Sequence, residues 1–322
     1  MINVFIDIII FCVVLFLYIH IYFHLKVSDE YEIFEIEHAS KDKMEEICDL
    51  RQPILFSYDN MILKNTTTFN YIYKNYPSFD IKIRDMNTLY NNSNNLFLKG
   101  KNDVKDTKNT NTKNIDINKY EDIYIPLKLS ITHNLFEKVS DDNIYISENN
   151  NDFLNESGII KNMYYNDKFL RPYFISNCFY DIILGTKNSI TPLRYEINYR
   201  NFFLLTEGSV KVKLTIPKNK KYLYTYKDYD NFEFRSLMNV WNIQNEFKDE
   251  YNKVKFLEVT LYPENYLFIP AYWWYSFKFN EKSSISVFKY RTYFNNIAIA
   301  NEFMMYILQS QNIKNKITNT YL

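Results

Sequence analysis

The sequence is short of cysteine, histidine and glycine, and it carries no net charge. Its three cysteines, Cys12, Cys48 and Cys178, show neither C-x-x-C spacing nor a disulfide framework. Cys12 lies in the apolar N-terminus; the other two are expected to be buried thiols of a reducing compartment. Lys plus Arg balance Asp plus Glu at 38 each, and nothing suggests the basic stripe that a phosphate backbone requires. Nucleic acid is therefore not an expected partner. Four glycines stand against 30 Tyr and 26 Phe. That bias, with abundant Asn, Lys and Ile, reads as the imprint of an AT-rich genome. The sequons at Asn65, Asn91 and Asn155 arise easily by chance in so Asn-rich a chain. No internal repeat is visible.

What is present is enough apolar material for a sizeable core: 47% of 322 residues are hydrophobic. That length suits one large domain or two small ones. Val4 to Phe23 is nearly all apolar, interrupted by Asp7 and His20. At about 1.5 Å per residue it just spans a hydrocarbon core of about 30 Å, with Tyr18, Tyr22 and Phe23 placed as an interfacial belt. A cleaved signal peptide wants a basic start and a small-residue cleavage site. Met1, Ile2 and Asn3 offer no Lys or Arg, and the run ends at His24, Leu25 and Lys26. Residues 1–25 are therefore read as an uncleaved single-pass anchor, its helix detached from the domain of residues 26–322. Lys26, with His20 and His24 nearby, favours the C-terminal side as cytoplasmic.

Beyond the anchor, Tyr31 to Ile36 alternates as a strand. Ser40 is placed to cap a helix from Lys41 to about Leu50 that buries Met44, Ile47 and Cys48. Phe79–Arg84, Tyr124–Leu129, Asn143–Ser147 and Phe179–Leu184 are expected strands, and Asn134–Val139 a short helix. Between them, Lys99 to Asn118 is too polar to order itself and reads as a flexible insertion. Lys218–Asp230 is expected as a loop and Arg235–Phe247 as a helix. A closing helix capped by Asn295 or Asn296 would align Ile297, Ala300, Met304, Ile307 and Leu308 on one face. That face is expected to pack on the core, with homodimerisation through it as the alternative.

Two stretches organise the chain. Thr191–Pro217 reads TPLRYEINYRNFFLLTEGSVKVKLTIP; Val254–Val287 reads VKFLEVTLYPENYLFIPAYWWYSFKFNEKSSISV. Both are β-branched and aromatic runs broken by turn residues, as strands should be. Thr191, Pro192, Leu193, Asn201, Gly208 followed by Lys211, and Pro217 fall in one pattern. Leu261, Pro263, Leu267–Pro270, Trp273 and Trp274 fall in another. Together they resemble the core of the cupin-like, JmjC-type family of double-stranded β-helix proteins, whose relatives include Fe(II)/2-oxoglutarate hydroxylases. The resemblance runs from about residue 40 to 290 and implies a mainly β fold, a jelly roll with flanking helices.

It also implies a ligand set of His, Asp and His, and there this chain departs: it has Arg194, Glu196 and Tyr275. Alternate strand residues point one way, so Arg194 and Glu196 are expected to face inward together. Glu196 could still ligate a cation, but a guanidinium stays protonated and has no lone pair to offer. The four histidines, His20, His24, His38 and His133, do not fall in the motifs, so two histidine ligands cannot be assembled there. Arg194, Glu196 and Tyr275 are expected to form a polar plug at the former metal position, with Arg194 within salt-bridge reach of Glu196 and no metal bound. Lys211 and Lys213 are candidates for gripping an anion such as the distal carboxylate of 2-oxoglutarate, with Thr191, Asn201 and Trp273 as further ligand-binding candidates. Their strand could present either face, since a one-residue slip reverses it. The expectation is a catalytically degenerate, membrane-anchored binding protein for a protein or small anionic ligand. The alternatives are a hydroxylase that uses Fe(II) and 2-oxoglutarate with unorthodox ligands, or a purely structural membrane protein.

Overall fold

A computed structural model describes residues 2–37, 40–93, 124–137 and 144–311. The insertion expected near 99–118 and His38 lie outside the described residues. The strands in chain order are β1 (Phe34–Ile36), β2 (Ile54–Ser57), β3 (Asp80–Asp85), β4 (Ile125–Lys128), β5 (Tyr145–Ser147), β6 (Ile175–Gly185), β7 (Arg194–Tyr195), β8 (Arg200–Glu207), β9 (Val210–Thr215), β10 (Thr225–Asp228), β11 (Glu233–Ser236), β12 (Leu257–Leu261), β13 (Asn265–Pro270), β14 (Trp274–Phe279) and β15 (Ser283–Thr292). They form two sheets. The larger is ordered β1-β2-β13-β8-β15-β6-β5-β3-β4, the smaller β10-β11-β7-β14-β9-β12.

The two sheets face each other across a core of Phe203, Leu205, Leu267, Ile269 and Val287 from the larger and Val212, Leu214, Tyr275 and Phe277 from the smaller. The alternate residues of the larger sheet, Phe202, Leu204, Phe268 and Phe288, point outward. Helical residues cover them, among them Met44, Leu63, Phe69, Phe153 and Met163. Burial on both faces explains why β8 and β13 read as continuous apolar runs rather than alternating ones. The two motif stretches meet: β14 pairs with β7 so that Tyr275 opposes Arg194, and with β9 so that Phe277 opposes Val212.

Local chemistry sets several element ends. Ser40 caps the helix Lys41–Cys48, its side chain accepting from the Lys43 amide, and Met44, Ile47 and Cys48 are buried on one face. Gly208 turns β8 into β9 at φ +85°, where a side chain would strike the Lys282 carbonyl and the Ser283 hydroxyl; only glycine takes that backbone without strain.

Four expectations are corrected. Arg235 to Phe247 is not a helix. Its start is β11, which pairs with β7 and β10 and so extends the smaller sheet, and strand pairing overrides its weak helical pattern. Part of the Lys218–Asp230 stretch is β10 rather than loop. The closing helices Tyr293–Ala298 and Ala300–Gln311 are entered through Thr292, whose hydroxyl caps the Asn295 amide. Ile297, Met304, Ile307 and Leu308 are solvent-exposed there, and the contacts inward are made by Ile299 and by Phe303, which stacks on Phe232.

The fourth correction concerns the N-terminal helix, Ile2–Leu25. It is long and apolar enough to cross a membrane, but it is not detached. His24 is hydrogen bonded to the Thr292 hydroxyl at 3.1 Å. His20 stacks on Phe294 at 4.3 Å. Leu17, His20, Ile21 and His24 are the partly or fully buried residues of the helix's second half, and their spacing marks one helical face.

Candidate functional site

The mouth between the two sheets is a cavity of about 400 Å³, lined among others by Lys82, Asp181, Arg194, Glu196, Asn198, Glu233, Lys289 and Arg291. Strand alternation selects these side chains. On β7, Arg194 turns into the cavity while the Tyr195 ring packs against Phe234 and Trp274 at its edge. Glu196, two residues on, faces inward again. On β15, Lys289 and Arg291 share the cavity face, whereas Phe288 and Tyr290 point into the core beneath the helices. On β3, Lys82 lines the cavity and Arg84 lies two residues further along the same face, with Ile81 and Ile83 on the other.

Arg194 is the hub. Its Nη2 lies 2.8 Å from Glu148 Oε2, its Nη1 donates to Glu233 Oε1 at 3.1 Å, and its Nε donates to the Tyr275 hydroxyl at 3.2 Å. Arg84 clamps the same two carboxylates from the far side, reaching Glu148 at 2.8 Å and Glu233 at 2.8 Å. The Tyr124 hydroxyl donates to Glu148 at 3.1 Å. Arg84, Glu148, Arg194 and Glu233 are all buried. Unpaired, any one of them would cost several kcal/mol; paired, the group roughly breaks even.

Arg194 therefore makes its ion pairs with Glu148 and Glu233, not with Glu196 as expected. Glu196 takes its charge partner from elsewhere: Lys289 Nζ lies 2.7 Å from Oε1. The Tyr275 hydroxyl donates to the same oxygen at 2.8 Å, and Asn198 donates to Oε2 at 3.1 Å. Tyr275 thus bridges the two halves of the network, accepting from Arg194 and donating to Glu196.

The titration behaviour follows from this wiring. Burial raises the Glu148 carboxyl, but the guanidiniums of Arg194 and Arg84 outweigh it and hold the group below its ordinary value of 4.5. Glu233 is likewise raised by burial and then drawn well below the usual carboxylate range by Arg84, Arg194 and Arg235. Burial, reinforced by Glu196 and only partly opposed by Arg194, pushes the Tyr275 hydroxyl well above its ordinary value of 10. A carboxyl whose folded value is depressed contributes stability that is full above the unfolded value and is lost as pH falls through the folded one. Unfolding free energy is therefore expected to fall steadily below about pH 4.5, and the fall is expected to be shallower in Arg194→Ala. Denaturant titrations between about pH 7 and pH 2 measure both slopes.

Arg291 stands apart. Its Nε donates to Asn198 at 2.6 Å, and its guanidinium is ringed by Phe179 at 4.6 Å, Phe303 at 4.8 Å and Phe232 at 5.6 Å. Among the described residues no carboxylate forms an ion pair with it. Burial lowers its pKa to about 10, with Glu196 opposing the shift from a distance.

The remaining candidate residues are placed outside the cavity. Lys211 is exposed and Lys213 half-buried on the outer face of β9, with Val210, Val212 and Leu214 pointing inward. Lys213 donates to the Val240 carbonyl at 3.1 Å and the Tyr251 hydroxyl at 3.2 Å and lies over the Trp241 ring. Neither lysine reaches an inward-bound anion. Thr191, Asn201 and Trp273 are fully buried and hold the framework. The Thr191 hydroxyl accepts from the Phe277 amide at 2.8 Å, Asn201 donates to the Ile269 carbonyl at 3.1 Å, and the Trp273 indole donates to the Arg51 carbonyl at 3.1 Å. His133 stacks on Tyr73 at 4.0 Å and lies 3.5 Å from Glu137, a packing role remote from the motif strands.

A family model described as the cupin-like domain matches residues 59–296. The chain belongs to the cupin-like, JmjC-type family. No curated protein matches it. The resemblance implies metal ligands at the positions held here by Arg194, Glu196 and Tyr275. Here the donor set does not fit iron. Arg194 offers a protonated guanidinium, Tyr275 a hydroxyl held firmly neutral, and both Glu196 oxygens already accept hydrogen bonds. Among the described residues, no three His, Cys, Asp or Glu side chains are grouped so as to hold a metal ion.

Sequence reasoning did not reach Arg84, Glu148, Glu233, Lys289 and Arg291. The first three come from segments with no motif, and only sheet pairing brings them together. Lys289 and Arg291 did leave a signal: two cations at alternate positions in an otherwise uncharged strand that runs on from the second motif.

Proposed function

We propose that this protein is a membrane-anchored cupin-like domain that binds a small anion at the mouth of its barrel and carries no Fe(II)/2-oxoglutarate chemistry. The observation that carries the reading is the Arg194 guanidinium at the metal-ligand position, ion-paired to Glu148 and Glu233 and hydrogen bonded to Tyr275. A fixed cation in that place repels a metal ion, and the carboxylates nearby are neutralised by arginine and lysine rather than left to ligate. The purified full-length protein is expected to contain no stoichiometric iron and to show no 2-oxoglutarate-dependent oxygen uptake. Metal analysis and an oxygen electrode decide this; iron at one equivalent together with coupled uptake restores the hydroxylase reading.

Anion binding is supported by the charge around the mouth. Lys82, Arg84, Arg194, Arg235, Lys289 and Arg291 stand against Glu148, Asp152, Asp181, Glu196 and Glu233, an excess of one positive charge. Arg291 supplies the attraction, because a half-buried guanidinium without a carboxylate ion pair gains from an anion, and its planar fork suits carboxylate or phosphate. Thermal stabilisation by small dicarboxylates or phosphate esters is expected in the wild type and lost in Arg291→Ala. Equal stabilisation of both proteins removes Arg291 from the site. Under this reading Lys26, just past the N-terminal helix, favours the cytoplasmic side for the domain. Protease protection in sealed vesicles checks that orientation.

A further inference from the structure

The docking of the N-terminal helix fixes how deep the domain sits. The apolar stretch Val4–Phe23 matches a hydrocarbon core of about 30 Å with no length to spare. Phe16 lies seven residues inside its C-terminal end, about 10 Å below that boundary. Yet the Phe16 ring meets Phe294 of the closing helix at 5.8 Å between centroids, and His20, within the same stretch, stacks on Phe294 at 4.3 Å. A domain held clear of the bilayer cannot make these contacts with a helix inside it.

The surface around Phe294 is suited to lipid. Phe174 is 79% exposed and Tyr293 64% exposed, and the two are joined by a hydrogen bond from the Tyr293 amide to the Phe174 carbonyl at 3.4 Å. Phe174 holds a left-handed backbone at φ 54°, which a bulky residue seldom adopts. Tyr173 and Ile297 are exposed beside them, and the helix Tyr293–Ala298 has no charged side chain. Of the carboxylates at its edge, Asp42 accepts from the Tyr173 hydroxyl at 3.1 Å, which sets that hydroxyl at the polar rim, and Glu45 and Asp49 are faced by Arg200 at 2.6 and 3.8 Å. In the second half of the helix the polar groups turn inward: His24 bonds Thr292 and His20 is shielded by Phe294, as intramembrane polar residues face protein rather than lipid; Asp7 is exposed near the other end.

We propose that Tyr173, Phe174, Tyr293, Phe294 and Ile297 form a membrane-embedded collar around the N-terminal helix, so that the domain is seated in the lipid interface and not tethered above it. The proposal rests on the anchor reading, and its test separates the two. The full-length chain is reconstituted into phosphatidylcholine vesicles in a Cys12→Ser, Cys178→Ser background. An environment-sensitive dye is then attached at Phe174→Cys, Ile297→Cys, Phe11→Cys or Tyr262→Cys. Tyr262 is exposed at the other end of the larger sheet. Labels at Phe174→Cys and Ile297→Cys are expected to lose emission to nitroxide-bearing lipid, as Phe11→Cys does, and to resist aqueous iodide, while Tyr262→Cys responds only to iodide. If Phe11→Cys is lipid-quenched but Phe174→Cys and Ile297→Cys respond to iodide, the collar is wrong and the anchor stands. If Phe11→Cys itself responds to iodide, the anchor reading fails and the collar with it. Labels shielded from both quenchers, with cross-linked pairs of chains, would assign the surface to a second copy and overturn the proposal.

Discussion

Arg194→Ala is expected to lose about 3–5 kcal/mol of folding stability, the usual cost of removing one partner from a buried ion pair. That is two to three decades or more in the folding equilibrium, taking about 1.4 kcal/mol per decade. The reason lies in what remains. Glu148 is fully buried and Glu233 nearly so. Without Arg194, Glu148 Oε2 loses its 2.8 Å ion-pair partner, and the Tyr275 hydroxyl loses its donor. Arg84 still reaches both carboxylates, which keeps the loss short of unfolding the chain. Arg194→Met, which keeps most of the volume and discards the charge, is expected to be nearly as damaging. In the Glu148→Gln, Arg194→Met double variant the losses are expected to be strongly non-additive, because the second change removes the charge that the first left exposed. Denaturant midpoints of the detergent-solubilised protein measure all three. A single-variant change within about 0.5 kcal/mol, the range of an ordinary surface substitution, would sink the network as a structural device.

That network also shows where sequence stops being informative. The frame was legible because it rests on local signals: Ser40 before an amphipathic turn, Gly208 where only a left-handed backbone closes the hairpin, and apolar runs at β8 and β13 too continuous for a half-exposed sheet. The inward placement of Arg194 and Glu196 followed from strand periodicity alone. Their partners did not. Glu148 follows a three-residue strand, Glu233 opens a strand whose second half falls in the segment expected as a helix from Arg235, and Arg84 sits on the polar side of an alternating segment. Each is unremarkable in its own window, and their convergence is a property of sheet order. Pairing of Arg194 with Glu196 looked natural because they are neighbours in sequence. Residues two apart on a strand point the same way but stand side by side, and each found a closer charge across the cavity. For the N-terminal helix the missed clue was periodic: His20 and His24, four residues apart, put two polar groups on one face of the helix's second half.

Removing residues 1–25 is expected to convert the protein from one that stays with membranes through an alkaline wash to one that is extracted by it. The change is all or none because of the length of the apolar segment. Each central Leu, Ile, Phe or Val favours insertion by roughly 0.3–0.6 kcal/mol, so the fifteen such positions in Val4–Phe23 contribute several kcal/mol. Short exposed aromatics on the domain cannot replace that. The truncated chain is not expected to behave as an ordinary soluble protein, however. It loses the His24 bond to Thr292 and the Phe16 and His20 rings that cover Phe294. It also loses Phe23, over which the Arg51 guanidinium lies at 5.1 Å. Phe294 then joins Phe174 and Tyr293 as exposed apolar surface. The released domain should therefore bind neutral vesicles weakly and with little dependence on salt, since the contact is apolar rather than ionic. Phe174→Ser with Phe294→Ser in the truncated chain should abolish even that residual binding. A full-length chain already soluble without detergent would end the anchor reading, as would a mature N-terminus near residue 26. Residual binding that disappears in moderate salt would instead mean that basic side chains, not these aromatics, hold the domain to lipid.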